Sequence, residues 1–254
     1  MNYKTTLYIV FITMFTVPLH LCSQSSSSKL TKHDEAIYRW FDKQIGLENT
    51  LLYNGYLDDG DAYFEKENAY KDSHRYYNQF DFYEGSLIYD NQFFNNINIK
   101  YDLFEESLLL TLKNSDNNLR TIRPLNNKVK SFSIDDKYFV NIDFLENNGE
   151  VLKGYAELLL NTANFNFYRK HFKQKNEVWS TGKLQYKFSY KSQDFLYYKN
   201  EFIRINKSRQ LFKIFPEYKK VIKEYSNGKM NNDKNTIVLL KRLNMLMSKK
   251  ANSL

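Results

Sequence analysis

The feature that most constrains the fold is a two-residue alternation of apolar and polar side chains between Leu51 and Ile205. A strand points successive side chains to opposite faces of a sheet, so this period is typical of strands with one buried face. The alternation is clearest in three runs of apolar residues: Ile97, Ile99 and Tyr101; Tyr138, Val140, Ile142 and Phe144; and Leu184, Tyr186, Phe188 and Tyr190.

Polar turn signals separate these runs and set the predicted topology. They are Asn54-Gly55, Asp90-Asn91, Asp135-Asp136, Asn147-Asn148-Gly149 and Ser192-Gln193-Asp194. Short alternating strands joined by tight polar turns predict an antiparallel meander over 51–205. About ten strands fit this length, which leaves a barrel, a half-barrel and a sandwich as alternatives.

Helical periodicity flanks the predicted sheet on both sides. The pattern predicts an N-terminal helix over 31–46, with Gly46 at its end, and a C-terminal helical segment over 207–250. The helical segment divides into three pieces, which begin near Ser208, Pro216 and Asn232. We therefore predict a single α+β domain over 31–254, with helices packed on one face or mouth of the sheet.

The first residues have the pattern of an export signal. Lys4 precedes an apolar run from Leu7 to Val17, and small polar residues follow Pro18. A basic start, a short apolar stretch and small residues beyond it predict a signal peptide over 1–23 and a flexible tether over 24–30. Lipidation of Cys22 is the alternative to simple secretion. Either form predicts an exported protein, located in the periplasm, at the outer membrane or outside the cell.

Positive charge is concentrated in the C-terminal helical segment. From Lys207 to Lys250 there are twelve Lys or Arg residues against three acidic ones. A local excess of this kind indicates a surface for an anionic partner, and we expect an acidic envelope protein or an anionic membrane surface. The candidate patch consists of Lys213, Lys219, Lys220, Lys223, Lys241 and Arg242.

The sequence contains no motif for catalysis, for a cofactor or for a metal. His33, His74 and His171 lie far apart without partners at metal-ligand spacing, which favours ordinary surface histidines. There is no Gly-x-Ser-x-Gly elbow and no glycine-rich phosphate loop. The many Tyr and Phe residues between 53 and 83 are separate from the basic segment, so aromatic stacking beside cations does not predict nucleic-acid binding. We predict no enzyme, no cofactor and no metal.

The segment from Gly85 to Asp102, GSLIYDNQFFNNINIKYD, and the strand that begins at Ser107 resemble a group of uncharacterised secreted β-rich proteins of Bacteroidota-type bacteria. Tyr53-Asn54-Gly55 and the helical ending from Ser208 to Glu217 are similar to that group as well. The resemblance implies an exported location and a β-rich architecture, and it implies no catalytic residue.

Three functions remain as hypotheses. The leading hypothesis is a secreted, periplasmic or envelope-associated module that binds or scaffolds without catalysis. The first alternative is a periplasmic carrier that holds an apolar ligand in a curved sheet, and the second is a secreted hydrolase. An open apolar cavity would favour the carrier, and acidic residues that converge in a cleft would favour the hydrolase.

Overall fold

The computed structural model describes residues 68–113, 118–147, 152–207, 210–226 and 233–251, together with 36–38, 40, 44, 46 and 49–54. The predicted signal peptide over 1–23 with Cys22, the tether over 24–30 and most of the predicted helix over 31–46 lie outside the described residues. All the described residues belong to one compact unit, Glu35–Leu254.

In the part of the chain that the structure describes, ten antiparallel strands form one sheet, which confirms the β-rich α+β class. The strands are β1 (Tyr83–Tyr89), β2 (Gln92–Asp102), β3 (Ser107–Lys113), β4 (Leu119–Ile122), β5 (Val129–Ile134), β6 (Lys137–Asn141), β7 (Tyr155–Asn161), β8 (Asn166–Ser180), β9 (Lys183–Tyr198) and β10 (Glu201–Arg204). Their order across the sheet is β10-β9-β8-β7-β6-β5-β1-β2-β3-β4. Within the described residues the sheet is open, with β10 and β4 at its edges.

The strand order corrects the simple meander in one place. β1 to β4 form one meander and β5 to β10 form a second, and β1 pairs with β5 to join them. The chain therefore returns from the edge strand β4 to the middle of the sheet. Alternation within a strand does not say which other strand it pairs with, so this return could not be read from the period.

The tight turns follow the expected chemistry. Asp90 and Asn91 both have positive φ (50° and 64°), as do Asp135 and Asp136 (52° and 56°). Two consecutive residues of this conformation form the turn that matches the twist of a hairpin. The predicted turn at Ser192-Gln193-Asp194 is wrong, because these residues lie inside β9. The turn after β9 is instead at Lys199 and Asn200, where φ is 52° and 60°.

The predicted sheet also begins later than Leu51. Leu51–Asn54 forms a short helix, α1, and the segment 68–82 is irregular up to the start of β1. This segment contributes large side chains to the protein interior, since Tyr76 and Tyr77 are only 0% and 2% exposed. The tyrosines here cover the sheet instead of forming strands.

Three helices follow the sheet: α2 (Leu211–Ile214), α3 (Lys219–Ser226) and α4 (Asp233–Ala251). Their apolar residues, among them Ile222, Leu240 and Leu243, pack with Phe167 of β8 and Leu196 of β9. We call the face of the sheet that carries Phe167 and Leu196 the front face.

The front face carries two apolar clusters. The helix cluster lies under α2 to α4, and the aromatic cluster lies on β1 to β7. The aromatic cluster includes Tyr77, Phe94, Tyr101, Phe132, Phe139 and Tyr155. A smaller cluster on the opposite face contains Ala156, Tyr168, Phe195 and Phe202.

Candidate functional site

The six cations of the candidate patch are all exposed on α2 to α4. On α3, Lys219, Lys220 and Lys223 fall within an arc of about 100°, beside and not on the position of buried Ile222, because successive residues of a helix are about 100° apart. Lys241 and Arg242 lie opposite the buried Leu240 and Leu243 of α4. The structure therefore brings three of the six together on one helix face.

Lys213 has a different environment. It lines a cavity of about 540 Å³ together with Lys199, Glu217 and Lys250. In this cavity Lys250 Nζ lies 2.5 Å from a Glu217 carboxylate oxygen. Both side chains are more than half exposed, so the ion pair contributes little to stability. Lys213 thus belongs to a mixed-charge cavity, and the three lysines of α3 form the more uniform positive surface.

A second candidate site follows from the strand registers. Pairing between neighbouring strands places seven residues side by side across the front face, and we call them the cross-strand row. The row runs Phe94, Leu87, Phe132, Phe139, Glu157, Arg169 and Asp194, on β2, β1, β5, β6, β7, β8 and β9. Its first four members are apolar and its last three are charged. The row thus changes from apolar to charged between β6 and β7, where the aromatic cluster ends.

His171 is at the centre of the charged end of the row. Its Nε2 lies 2.7 Å from Glu157 Oε2, and its Nδ1 lies 2.7 Å from the Tyr190 hydroxyl. An ionised carboxylate only accepts, so a neutral His171 donates to Glu157 and accepts from Tyr190. The His171 side chain is 4% exposed, so the prediction of a surface histidine is wrong here. Its two hydrogen bonds make that burial tolerable.

Three cationic groups stand around this histidine. Arg169 donates two hydrogen bonds to Asp194, at 2.7 Å and 2.9 Å, in the bidentate geometry that suits a guanidinium and a carboxylate. Lys137 Nζ lies 2.6 Å from the Tyr77 hydroxyl. Lys173 Nζ lies 2.6 Å from the backbone carbonyl oxygen of His74.

These groups line a second cavity, of about 480 Å³, which we call the row cavity. Its lining residues are Tyr77, Asn78, Lys137, Glu157, Leu159, Arg169, His171, Lys173, Tyr190 and Ile237. Ile237 comes from α4, so the row cavity lies between the sheet and the last helix. The sequence separation of its residues explains why no motif indicates it.

Burial perturbs the proton equilibria in the row cavity. Loss of solvent lowers the pKa of Lys173 to about 8, against the opposing effect of Asp102. Loss of solvent also raises the pKa values of the Tyr77 and Tyr190 hydroxyls. At neutral pH both phenols are therefore neutral, and they act as hydrogen-bonding groups.

Comparison with family models, with curated proteins and with solved structures gives no match for this chain. Among the described residues no group of three His, Cys, Asp or Glu side chains could hold a metal ion. None of the described helices has the length and hydrophobicity needed to span a bilayer.

Sequence reasoning missed the row cavity, although one signal for it exists. Phe167, Arg169, His171 and Lys173 alternate in phase along β8, so polar residues continue the face that Phe167 begins. Polar residues at the inward-facing positions of a strand indicate either that this part of the sheet is exposed or that these residues line a cavity. In the structure Arg169, His171 and Lys173 line the row cavity.

Proposed function

We propose that this chain is an exported, non-catalytic binding or scaffolding module of the cell envelope, and that it docks through its basic helical end. The partner is an anionic surface, either anionic lipid headgroups or an acidic protein. The observation that carries this proposal is the lysine face of α3: Lys219, Lys220 and Lys223 are exposed together on one part of the helix surface, while Ile222 is buried.

The packing of the helices supports this assignment. Ile222, Leu240 and Leu243 are 0% exposed, so the apolar sides of α3 and α4 are already used inside the protein. The sides left for a partner carry the lysines of α3 and, on α4, Lys241 and Arg242 together with half-exposed Val238 and Met245. Basic residues near an anionic membrane each contribute about 1 kcal/mol of attraction. Three lysines on one face would then contribute about 3 kcal/mol, which is about a hundredfold in affinity.

The cavities favour a binding module over the carrier of an apolar ligand. Both cavities described above have charged side chains in their walls, with Lys213 and Glu217 in one and Lys173 and Glu157 in the other. An apolar ligand would leave these groups without water, at a cost in free energy. A carrier cavity would instead be lined mostly by apolar side chains.

One observation favours the hydrolase alternative, namely the chain of hydrogen bonds Glu157–His171–Tyr190. It has the order of a carboxylate, a histidine base and a hydroxyl. However, burial raises the pKa of the Tyr190 hydroxyl, whereas an activated nucleophile needs a lowered one. The arrangement therefore suits a positioned hydrogen-bonding group better than a nucleophile.

Co-sedimentation with vesicles tests the docking proposal. The protein should sediment with vesicles that contain phosphatidylglycerol and stay in solution with pure phosphatidylcholine. Binding should weaken between about 50 mM and about 300 mM salt, because exposed charges are screened over about 8 Å at physiological ionic strength. A pulldown from envelope extract under the same conditions tests the acidic-protein partner.

A matched pair of variants separates the lysine face of α3 from net charge. The Lys219/Lys220/Lys223→Gln variant should lose salt-sensitive binding. The control changes Lys183, Lys187 and Lys191 to Gln, three exposed lysines of β9, and it removes the same charge from the sheet. Equal losses in the two variants would mean that net charge alone drives binding. Absence of salt-sensitive binding in both assays would contradict the docking proposal.

A further inference from the structure

The row cavity is lined by both cationic and apolar side chains, a combination that the lysine face of α3 does not have. Lys137 and Lys173 bring ammonium groups to one part of the lining, and Leu159, Ile237 and the Tyr77 ring form an apolar part. Small-molecule sites combine apolar walls with polar groups that orient the ligand, and the row cavity has both, with the polar groups in the majority. We propose that the row cavity is a binding site for a small organic acid with a single carboxylate.

The charges around the row cavity favour an anion. Arg169 and Asp194 neutralise each other through their bidentate pair. Among the described lining residues Glu157 is then the one carboxylate, and two lysines, Lys137 and Lys173, line the same cavity. One positive charge remains in excess, which a monocarboxylate would balance. The two ammonium groups are directed at neutral oxygens, the Tyr77 hydroxyl and the His74 carbonyl.

Among the described residues, neither Lys137 nor Lys173 has a carboxylate within ion-pair distance. The neighbouring acids are already engaged, since Asp102 pairs with Arg75 at 2.6 Å and Asp135 accepts a hydrogen bond from Asn78. Two buried or half-buried ammonium groups with neutral partners are costly, and a bound carboxylate would offset that cost.

The remaining polar groups are suited to orient such a ligand. Because His171 is held between Glu157 and Tyr190, the Tyr190 hydroxyl has a defined position at the cavity wall. The cavity volume of about 480 Å³ suits a small molecule. The apolar part of the wall favours an organic acid over inorganic phosphate.

Ligand-observed NMR and calorimetry on the full chain test the proposal, with benzoate, phenylacetate and cyclohexanecarboxylate as probes. Benzamide serves as the neutral match of benzoate, and inorganic phosphate as the anion without an apolar part. At least one of the three acids should bind with a Kd below about 10 mM, and benzamide and phosphate should each bind at least about tenfold more weakly. The proposal fails if no acid binds in this range, or if benzamide or phosphate binds as well as the acids.

Variants locate the binding. Lys137→Met with Lys173→Met should weaken acid binding by about tenfold or more, because hydrogen bonds to charged groups are the strong ones. The matched control, Lys183→Met with Lys187→Met, removes two exposed ammonium groups of β9 and should leave binding unchanged. If the double variant at the cavity does not fold, Lys137→Gln alone should still weaken binding several-fold. Unchanged binding in a folded cavity variant would overturn the proposal.

Two measurements distinguish acid binding in the row cavity from docking through the basic helical end. Ring ¹⁵N signals of His171, assigned by their loss in His171→Gln, should shift when the acid binds, whereas binding at the basic helical end would leave them unmoved. The Lys219/Lys220/Lys223→Gln variant should retain full acid affinity. Acid binding that disappears in this triple variant would place the ligand at α3 and overturn the assignment to the row cavity.

The pH dependence provides an independent check, because Lys173 loses its proton near pH 8. The charged and titratable groups that face it are His74 from the irregular segment, Asp102 of β2 and Tyr190 of β9. Glu157 and Lys137 face it across the cavity. The protonated form binds the carboxylate, so acid affinity should fall as the pH rises from about 7 to about 9. Constant affinity over this range would exclude Lys173 as a ligand group.

Discussion

The two ends of the cross-strand row have the same strand geometry and opposite chemistry. Phe132 and Phe139 are at most 1% exposed and stack at a centroid distance of 4.8 Å. Next to them in the same row, Glu157 and Arg169 are charged and have their own hydrogen-bonding partners. Register determines which residues are neighbours, but the covering layer determines which chemistry is stable there.

The covering layers differ at the two ends. Tyr77, from the segment before β1, packs on Phe139 and Tyr101 and completes the aromatic cluster. At the charged end the cover is incomplete, because the row cavity separates the sheet from Ile237 of α4. Charged groups can remain at this end because they are hydrogen-bonded and solvent reaches the cavity. The apolar end therefore provides stability, and the charged end provides a place for a ligand.

The largest effect should come from the apolar end. Phe139 is fully buried and contacts the rings of Phe132, Tyr77 and Tyr101. Phe139→Ala should lower the free energy of unfolding by about 3 to 5 kcal/mol, because it leaves a cavity among aromatic rings. Tyr138→Ala, on the adjacent residue, which is 44% exposed, should cost less than about 1 kcal/mol. Urea melts measure both, and equal costs would contradict the assignment of faces to β6.

Alkaline pH should affect the same end. Burial raises the pKa values of Tyr101 and Tyr155, so both phenols stay neutral in the folded protein while the unfolded chain ionises above about pH 10. Their contribution to stability is fully present below about pH 10. It is lost above that pH, by about 1.4 kcal/mol per tyrosine for each pH unit.

Urea melts between about pH 8 and about pH 11 test this prediction, with Tyr101→Phe/Tyr155→Phe as the comparison. The double variant should lose stability less steeply than the wild type above about pH 10. The Tyr101 hydroxyl is buried and finds no hydrogen-bond partner among the described residues, so its removal should cost little. Parallel slopes for the two proteins would show that other groups control alkaline unfolding.

The close approach of the backbones of β1 and β5 should give the next largest effect on stability. A Cβ atom at Gly85 would overlap the Ser133 carbonyl oxygen of β5, where the two meanders join. Gly85→Ala should therefore cost about 1 to 3 kcal/mol, since the obstacle is backbone. At Gly182 of the β8–β9 turn no atom lies within 4 Å, and Gly182→Asn should cost less than about 1 kcal/mol because Asn tolerates positive φ. Thermal melts that rank the two variants in reverse would contradict the close approach of β1 and β5.

The smallest of these effects should come from the charged end. Glu157→Gln keeps the shape of the side chain but weakens its hydrogen bond to His171, at a cost of about 1 to 2 kcal/mol. A cost as large as that of Phe139→Ala would mean that the charged end also carries the stability of the sheet. The same urea melts decide between the two outcomes.

The sequence predicted the local structure better than the arrangement of the strands. The run Ile97, Ile99 and Tyr101 lies in β2 with all three residues buried, as the alternation indicates. For the run from Tyr138 to Phe144, the alternation predicts the wrong buried face. Phe139 is the buried residue of β6 on the front face, and the strand ends at Asn141. The other face of β6 is partly covered as well, since Val140 is half-buried there, so apolar residues occur at both phases and a period of two could not identify the inner one.

The two candidate sites also differ in how well the sequence predicts them. The exposed cations of α2 to α4 could be found from charge density, because a cluster of lysines in sequence stays a cluster on a short helix. The row cavity could not, since its residues extend from Tyr77 to Ile237 and meet only through the strand registers. Asp194 illustrates the difficulty. The sequence pattern predicts a turn at this residue, yet Asp194 lies within β9 and pairs with Arg169.

The two edge strands of the sheet, β4 and β10, affect the tendency of the protein to aggregate. An unpaired strand can act as a template for another chain, which adds along it through backbone hydrogen bonds. Here both outer strands, β4 and β10, are only four residues long, and they carry charged side chains such as Arg120 and Arg204. An incoming chain would gain few hydrogen bonds at either strand and would have to pair beside these charges. Both features disfavour the addition of a further chain at either edge of the sheet.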